Sequence, residues 1–340
     1  MHWDQGFVTI ISLIVMGIIL AFSLLLIYMI NIEYFLVNSS HDSIQTYYLA
    51  ESKIHSVLNI KCYYDQLLST IEEYLKTGKF DTKAIEIKKE HLLKEDGNRK
   101  VELGFDIEDD RRILKLSSSS RYNGIQNNLV SKLYMLNDFY EMGIPIVSEN
   151  SIDRDNLEVY IGYMDMLREE MEVPFDAKYT IGIDGSGYKK IDIIVEPNGD
   201  MFAEYFGDDI ETPRRREYVG RNHENDRIFL VAKDDGLGPK NVRIITGEGV
   251  DKGVIKGTFY IEGDLWVLGD VDIEGILIID NGTIIVDPSI RLFCSGLMLS
   301  RDCILEGDSI RIEYDRSVIK RCGVHIPGFI NLKMKLIKME

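Results

Sequence analysis

Between Phe7 and Ile30 the chain carries 24 consecutive residues with no ionisable side chain except Tyr28. As a helix rising about 1.5 Å per residue, such a run reaches roughly 36 Å, enough to cross a hydrocarbon core of about 30 Å. A secretory signal peptide has an apolar region of only about 7 to 15 residues followed by a small-x-small cleavage site, and no such site follows here. The run predicts one transmembrane helix near the N-terminus, with the bulk of the 340 residues on the far side. "MHWDQ" holds no Lys or Arg and the first beyond the apolar run is Lys53, so the positive-inside rule assigns no orientation.

The helical pattern continues past the membrane. Tyr47, Ala50, Ile54, Val57, Leu58, Tyr64, Leu68, Ile71 and Leu75 recur at three- and four-residue steps, with Glu51, Lys53, Glu72, Glu73 and Lys76 mostly off that stripe. No Pro or Gly interrupts Ile18 to Thr77, which predicts one helix through about Leu75, ending near Gly78, with Asn38 its weakest point. An anchor followed by a separate amphipathic helix fits the same residues.

Composition describes an ordinary folded chain: 45% hydrophobic and 28% charged, with 28 Gly and 7 Pro. The net charge of −17, from 56 acidic and 39 basic residues, argues against broad nucleic-acid binding. One island opposes that balance, "TPRRREYVGRNHENDR", with Arg214, Arg215, Arg216, Arg221 and Arg227. It reads as an exposed polar loop whose arginines pair with Glu217, Glu224 and Asp226, ahead of a polyanion site. Cys62, Cys294, Cys303 and Cys322 show no zinc spacing, so no metal is expected; the even count permits disulfides, and equally reduced thiols. No nucleophile elbow, zincin, Walker or dinucleotide fingerprint occurs, and no catalytic residue or cofactor is expected. "CGVH" at Cys322 to His325 could supply a thiolate and a base, but residues three apart on a strand face opposite ways.

The region of residues 84–135 alternates in polarity and is broken by "DGN" and "EDD", as an antiparallel meander would be. In the middle, "NLEVYIGYMDMLREEM" suits a strand or a short helix, while "DGSG" and "PNGD" read as turns between strands. From Gly257 the chain becomes periodic: "GTFYIE", "GDLWVL", "GDVDIE", "GILIID", with glycines at 257, 263, 269 and 275. Phe259, Leu265, Val271 and Leu277 hold the third place of each unit, and Ile261, Val267, Ile273 and Ile279 the fifth. Two alternate apolar places per six residues are the arithmetic of a hexapeptide-type β-solenoid, whose units bury their apolar face only by stacking. The rival is a tight antiparallel meander closed at Gly-Asp turns. Asp264, Asp270 and Asp272 are expected to face solvent.

A glycine before Phe, a long apolar helix, and then "QTYYLAESKIHSVLN" (Gln45 to Asn59) resemble the start of type IV pilin-like proteins, in particular the PilX-type minor pilins. That family commonly reads A-Y-Y-L-A-E-A-G-I-E there, matched by Tyr47, Tyr48, Leu49, Ala50, Glu51 and Ile54. The resemblance covers about Met1 to Met135, and the ending "HIPGFINLKMKLIK" is similar to pilin-like endings. It implies cleavage by a prepilin peptidase between Gly6 and Phe7, and an assembly interface along the apolar helix through Phe7, Ile11, Ile14, Gly17, Ile18 and Leu25. His2 and Asp4 stand where prepilin leaders carry Lys or Arg. Ile11 stands where the family has Glu, which fits an initiating or tip subunit. The implied partners are other pilin-like subunits, the prepilin peptidase, an inner-membrane assembly platform and the lipid bilayer.

The expected fold class is α+β: a long N-terminal transmembrane and amphipathic helix on an antiparallel sheet, then a β-rich region with a short hexapeptide-type β-solenoid. Residues 1–6 read as a prepilin leader, 7–32 as the transmembrane helix, 33–135 as helix plus sheet, 136–252 as a β-rich middle region, and 253–340 as the Gly-rich repeat domain. The expected function is structural and non-enzymatic, in a single-pass membrane protein whose bulk is extracytoplasmic and enters a pilus-like fibre. The alternative is an anchored envelope module that does not polymerise and whose repeat contacts peptidoglycan or another envelope partner.

Overall fold

The structure, a computed structural model, describes residues 3–80, 82–94, 97–108, 111–175, 180–207, 210–221, 227–307 and 309–339. Met1 and His2 of the leader, Asp96, the aspartates of "EDD", and Glu224 and Asp226 of the arginine island lie outside them. The chain divides into two compact units, Met1–Ser69 with Phe80–Leu133 and Met334–Glu340, and Thr70–Lys79 with Tyr134–Lys333.

The first unit is built on helix α1, Trp3–Asn59; α2, Lys61–Thr77, follows at once, its residues from Thr70 onward counting with the second unit. α1 continues through Asn38 without interruption, and two of its polar side chains bond back to the preceding turn, Ser23 Oγ to Ile19 O at 2.8 Å and Thr46 Oγ1 to Asp42 O at 2.6 Å. The interruption falls at Ile60, whose carbonyl accepts from both Tyr63 N and Tyr64 N at 3.0 Å. This rotates the buried stripe by one residue. Ala50, Ile54, Val57, Ile71 and Leu75 are buried as expected and Leu49 is buried beside them, but Tyr63 and Leu67 replace Tyr64 and Leu68, and Tyr47 and Leu58 are half-buried. Gly78, at φ +68, ends α2 by donating its N–H to Tyr74 O at 2.8 Å, the left-handed cap that glycine favours.

The sheet of this unit runs β1-β2-β3-β4-β18, from Ala84–Glu86, Lys100–Glu108, Arg111–Tyr122, Ile125–Leu136 and, at the C-terminus, Ile330–Met339. The β1–β2 and β2–β3 pairs are antiparallel, and a two-residue Asn123-Gly124 turn with φ of 47 and 88 joins β3 to β4. The second half of α1 packs mainly on β3, whose Leu114, Leu116, Ser118 and Ser120 share one buried face. Lys53, placed off the apolar stripe by its charge, is instead buried there. Its ammonium donates to the carbonyls of Asn98 and Ser119, which is how a buried cation is tolerated.

The second unit stacks strands in parallel. One column contains β6 (Thr180–Asp184), β10 (Arg227–Ala232), the first part of β12 (Gly253–Leu268), β13 (Val271–Asp280), β15 (Leu292–Arg301) and β17 (Ile310–Tyr314). The other contains β7 (Lys190–Val195), β11 (Lys240–Thr246), the last six residues of β12, β14 (Thr283–Val286) and β16 (Ile304–Glu306). Two antiparallel strands, β8 (Asp200–Phe206) and β9 (Arg215–Arg221), extend the second column beyond β7. A short strand, β5 (Ile146–Ser148), pairs with the far end of β15.

The hexads do not stack on their immediate neighbours. "GTFYIE" and "GDLWVL" lie end to end in β12, which swings at Gly263 (φ +141) where the rival reading placed a hairpin. Gly257 pairs with Gly275, and Gly275 with Gly296, so the stacking repeat is 18 and then 21 residues, three hexads or slightly more. Glycine is required in that column because each strand lies over a backbone carbonyl of its parallel neighbour. A Cβ on Gly275 would sit 1.7 Å from Gly257 O, and one on Gly296 would sit 1.9 Å from Gly275 O. Phe259, Ile261, Leu265, Val267, Val271, Ile273, Leu277 and Ile279 all point into one core, as the third- and fifth-place rule predicts. The stacking reaches back to Thr180, and residues 330–339 pair in the first unit's sheet.

The outer side of the first column is covered. The stretch left between strand and helix forms α3, Arg154–Glu170, burying Tyr160, Tyr163, Met164 and Leu167. Tyr160 Oη bonds Ser300 O at 2.8 Å and Val147 O at 2.9 Å. A short helix, α4 (Arg316–Cys322), is capped by Asp315, which accepts from Ser317 N at 2.8 Å, and Thr258 Oγ1 donates to Cys322 O at 2.8 Å. "DGSG" and "PNGD" form the expected turns, with Ser186 N donating to Asp184 Oδ1 at 3.0 Å and Gly199 at φ +82.

Candidate functional site

The residues expected to form an assembly interface all lie on α1, and none is packed. Phe7 is 66% exposed, Ile11 43% and Leu25 55%, and no atom lies within 4 Å of where a Cβ on Gly17 would be. Phe7, Ile11, Ile14, Ile18 and Leu25 follow one another at steps of four, three, four and seven, so they form one stripe, with Gly17 beside it. The helix is long and apolar enough to cross a membrane, and its apolar window has no buried residue. Gly6 is helical, one residue before the exposed stripe begins. Every residue that the sequence singled out for assembly is therefore presented on the unpacked first half of α1.

The other chemistry-bearing groups are occupied structurally. Asp280 is fully buried and held by two guanidiniums: Arg301 Nε at 2.7 Å and Nη2 at 2.7 Å, and Arg168 Nη2 at 2.8 Å. These hydrogen bonds push the Arg301 pKa up, hold the arginine charged and fasten α3 to the outer face of β13 and β15. Glu262 accepts from Tyr260 Oη and Asp234 N, both at 2.8 Å. Cys322 and His325 do not form an ion pair poised for attack. Burial pushes the Cys322 thiol up to about 11, and burial followed by the Lys76 charge lowers His325 to about 4, so both are neutral near pH 7. All four cysteines are free. Among the described residues no three His, Cys, Asp or Glu side chains converge as a metal site would need.

In the described part of the arginine island, Arg215–Arg221 form strand β9 and Arg227 opens β10. Arg215 pairs with Glu217 as expected. Arg216 reaches Glu196 at 3.3 Å and Glu204 at 3.4 Å, and Arg221 reaches Asp200 at 3.0 Å. An open cleft of about 360 Å³ lies near Met171, Asp184, Val231 and Lys233. Two of its polar side chains are engaged: Lys233 Nζ bonds Glu169 O at 3.0 Å, and Asp184 accepts from Ser186 N.

The outward face of the second column carries an arrangement that no local spacing reveals. Tyr218, Phe202, Ile194, Ile245 and Leu268 stand side by side across β9, β8, β7, β11 and β12, because each is the register partner of the next. Tyr218 is 59% and Leu268 40% exposed, and the three between are half-buried. Two residues along, Arg216, Glu204, Asp192, Arg243 and Trp266 form a parallel row. The hint in the sequence is polarity on alternate outward places, as in Phe202/Glu204 and Arg243/Ile245, but only pairing shows that they align.

Comparison with protein-family models, with curated proteins and with solved structures finds no match to this chain.

Proposed function

We propose that this chain is a membrane-anchored, pilin-like structural subunit, cleaved between Gly6 and Phe7 and joined to other pilin-like subunits through the α1 stripe of Phe7, Ile11, Ile14, Ile18 and Leu25. The observation that carries the reading is the division of α1. Its first half is apolar and bare, and its second half is committed to an antiparallel sheet, so the helix both anchors a folded head and offers a surface for neighbouring helices. In a bilayer that surface gains nothing from burial against lipid, so association rests on close helix packing, for which Gly17 provides room. With Ile11 in place of an acidic residue, the chain cannot neutralise the amine of a subunit ahead of it, which fits an initiating or tip position. The parallel stack, with its glycine column and 18-residue step, is on this reading a short β-solenoid carried outward by the anchor. Partners are other pilin-like subunits, the prepilin peptidase, the assembly platform and the bilayer, and the work is structural, not catalytic.

A photo-crosslinking residue at Ile18, in membranes of cells bearing the assembly machinery, tests this. Adducts with other pilin-like subunits are expected, and are expected to vanish when the crosslinker is moved to buried Ile54. A chain that stays in the membrane and gives no adduct at Ile18 overturns assembly and leaves an anchored module that does not polymerise.

A further inference from the structure

We propose that the open face of the second unit's sheet binds an uncharged polysaccharide strand laid across β9, β8, β7, β11 and β12. Isolated exposed apolar side chains are ordinary on a protein surface, whereas a contiguous row is characteristic of a binding site. The row from Tyr218 to Leu268 crosses four interstrand steps of about 4.8 Å, giving a track of about 19 Å. One such step is close to the length of one sugar in an extended β-1,4-linked chain, so successive sugars meet successive side chains.

The chemistry of the face matches that ligand. Tyr218 and Phe202 place their rings 5.5 Å apart at one end, and Trp266 lies one row over at the other. Sugar C–H faces pack on such rings, whose faces are electron-rich; the Arg216 guanidinium already lies 4.5 Å from the Phe202 ring centre, so the open ring at that end is that of Tyr218. The charged groups beside the row cancel: Arg216 is paired with Glu204 and Glu196, Arg221 with Asp200, and Lys190 and Arg243 with Asp192. A polyanion finds no excess of cations there, and a protein of net charge −17 repels it further. Sugar hydroxyls both donate and accept, so they suit a row in which two carboxylates, Glu204 and Asp192, lie between two guanidiniums, Arg216 and Arg243. The proposal is independent of fibre assembly, since it concerns the second unit alone.

The test uses the full chain in a detergent without a sugar headgroup, incubated with insoluble chitin, cellulose and β-mannan, and with heparin-agarose. Retention on at least one of the three neutral polymers is expected. It should fall at least tenfold in the Tyr218→Ser, Ile245→Ser double variant and remain unchanged in Phe175→Ser, a 99% exposed residue outside the row. Unchanged thermal unfolding of the double variant would show that the loss is one of binding. Retention on none of the neutral polymers overturns the proposal, as does retention that the double variant keeps, or retention confined to heparin. A dimer in light scattering that the double variant dissolves would assign the face to a second copy of the chain and equally overturn it.

Discussion

Gly275→Ala adds one methyl group at the point where the stack leaves no room for it. The new Cβ would lie 1.7 Å from Gly257 O, where ordinary contact begins near 3.4 Å, so the two turns must part by more than an ångström. Neither partner is a flexible side-chain end. Overpacking in a rigid interior typically costs about 1–3 kcal/mol. Parting the strands also loosens two or three ladder bonds beside the Gly257 and Gly275 pair, each worth about 1 kcal/mol net. The expected loss is about 3–5 kcal/mol, which for a unit of this size lowers Tm by roughly 10 °C. The control is Gly187→Ala, where nothing lies within 4 Å of the added atom and a change within about 0.5 kcal/mol is expected. Thermal unfolding of the detergent-solubilised chain, followed by near-ultraviolet circular dichroism, compares the two. Equal Tm values for Gly275→Ala and Gly187→Ala would refute the stacked register.

Val267→Asp buries a carboxylate in the core and should cost about 3–5 kcal/mol by the same assay. Asp264→Ala, mild on the sequence reading alone, should cost about 1–2 kcal/mol, because Asp264 Oδ1 accepts from Thr283 N of the next turn at 2.9 Å; a loss below about 0.3 kcal/mol would argue against that tie. His325 is held neutral, with its pKa lowered from 6.5 to about 4, so the unfolded chain binds the proton first. Its contribution to stability is complete above about pH 6.5 and is lost as pH falls toward 4. Urea midpoints measured from pH 4.5 to 7 should rise less steeply in His325→Phe than in the native chain, and parallel curves would remove His325 as the cause.

Much of this architecture is written locally. The uncharged run from Phe7 and the absence of Pro or Gly from Ile18 to Thr77 announce α1 and α2, and the six-residue glycines announce the glycine column of Gly257 and Gly275. What sequence spacing misses depends on distant partners. The break at Ile60 is marked by no helix breaker, yet it turns the buried stripe from Tyr64 and Leu68 to Tyr63 and Leu67. Lys53 is buried because the sheet offers it carbonyls, which its own helix does not disclose. The stack begins well before the hexads, since Ile228 and Lys240 occupy the register places held by Gly257 and Gly263 one turn later. The row from Tyr218 to Leu268 takes one residue from each of five strands, so it has no sequence period at all.

The claim that the bare half of α1 serves assembly rests first on processing. Mass spectrometry of the membrane-extracted chain should find Phe7 as its first residue when the cognate prepilin peptidase is present and Met1 when that peptidase is absent. An intact Met1 under both conditions would contradict the account and make α1 a permanent anchor.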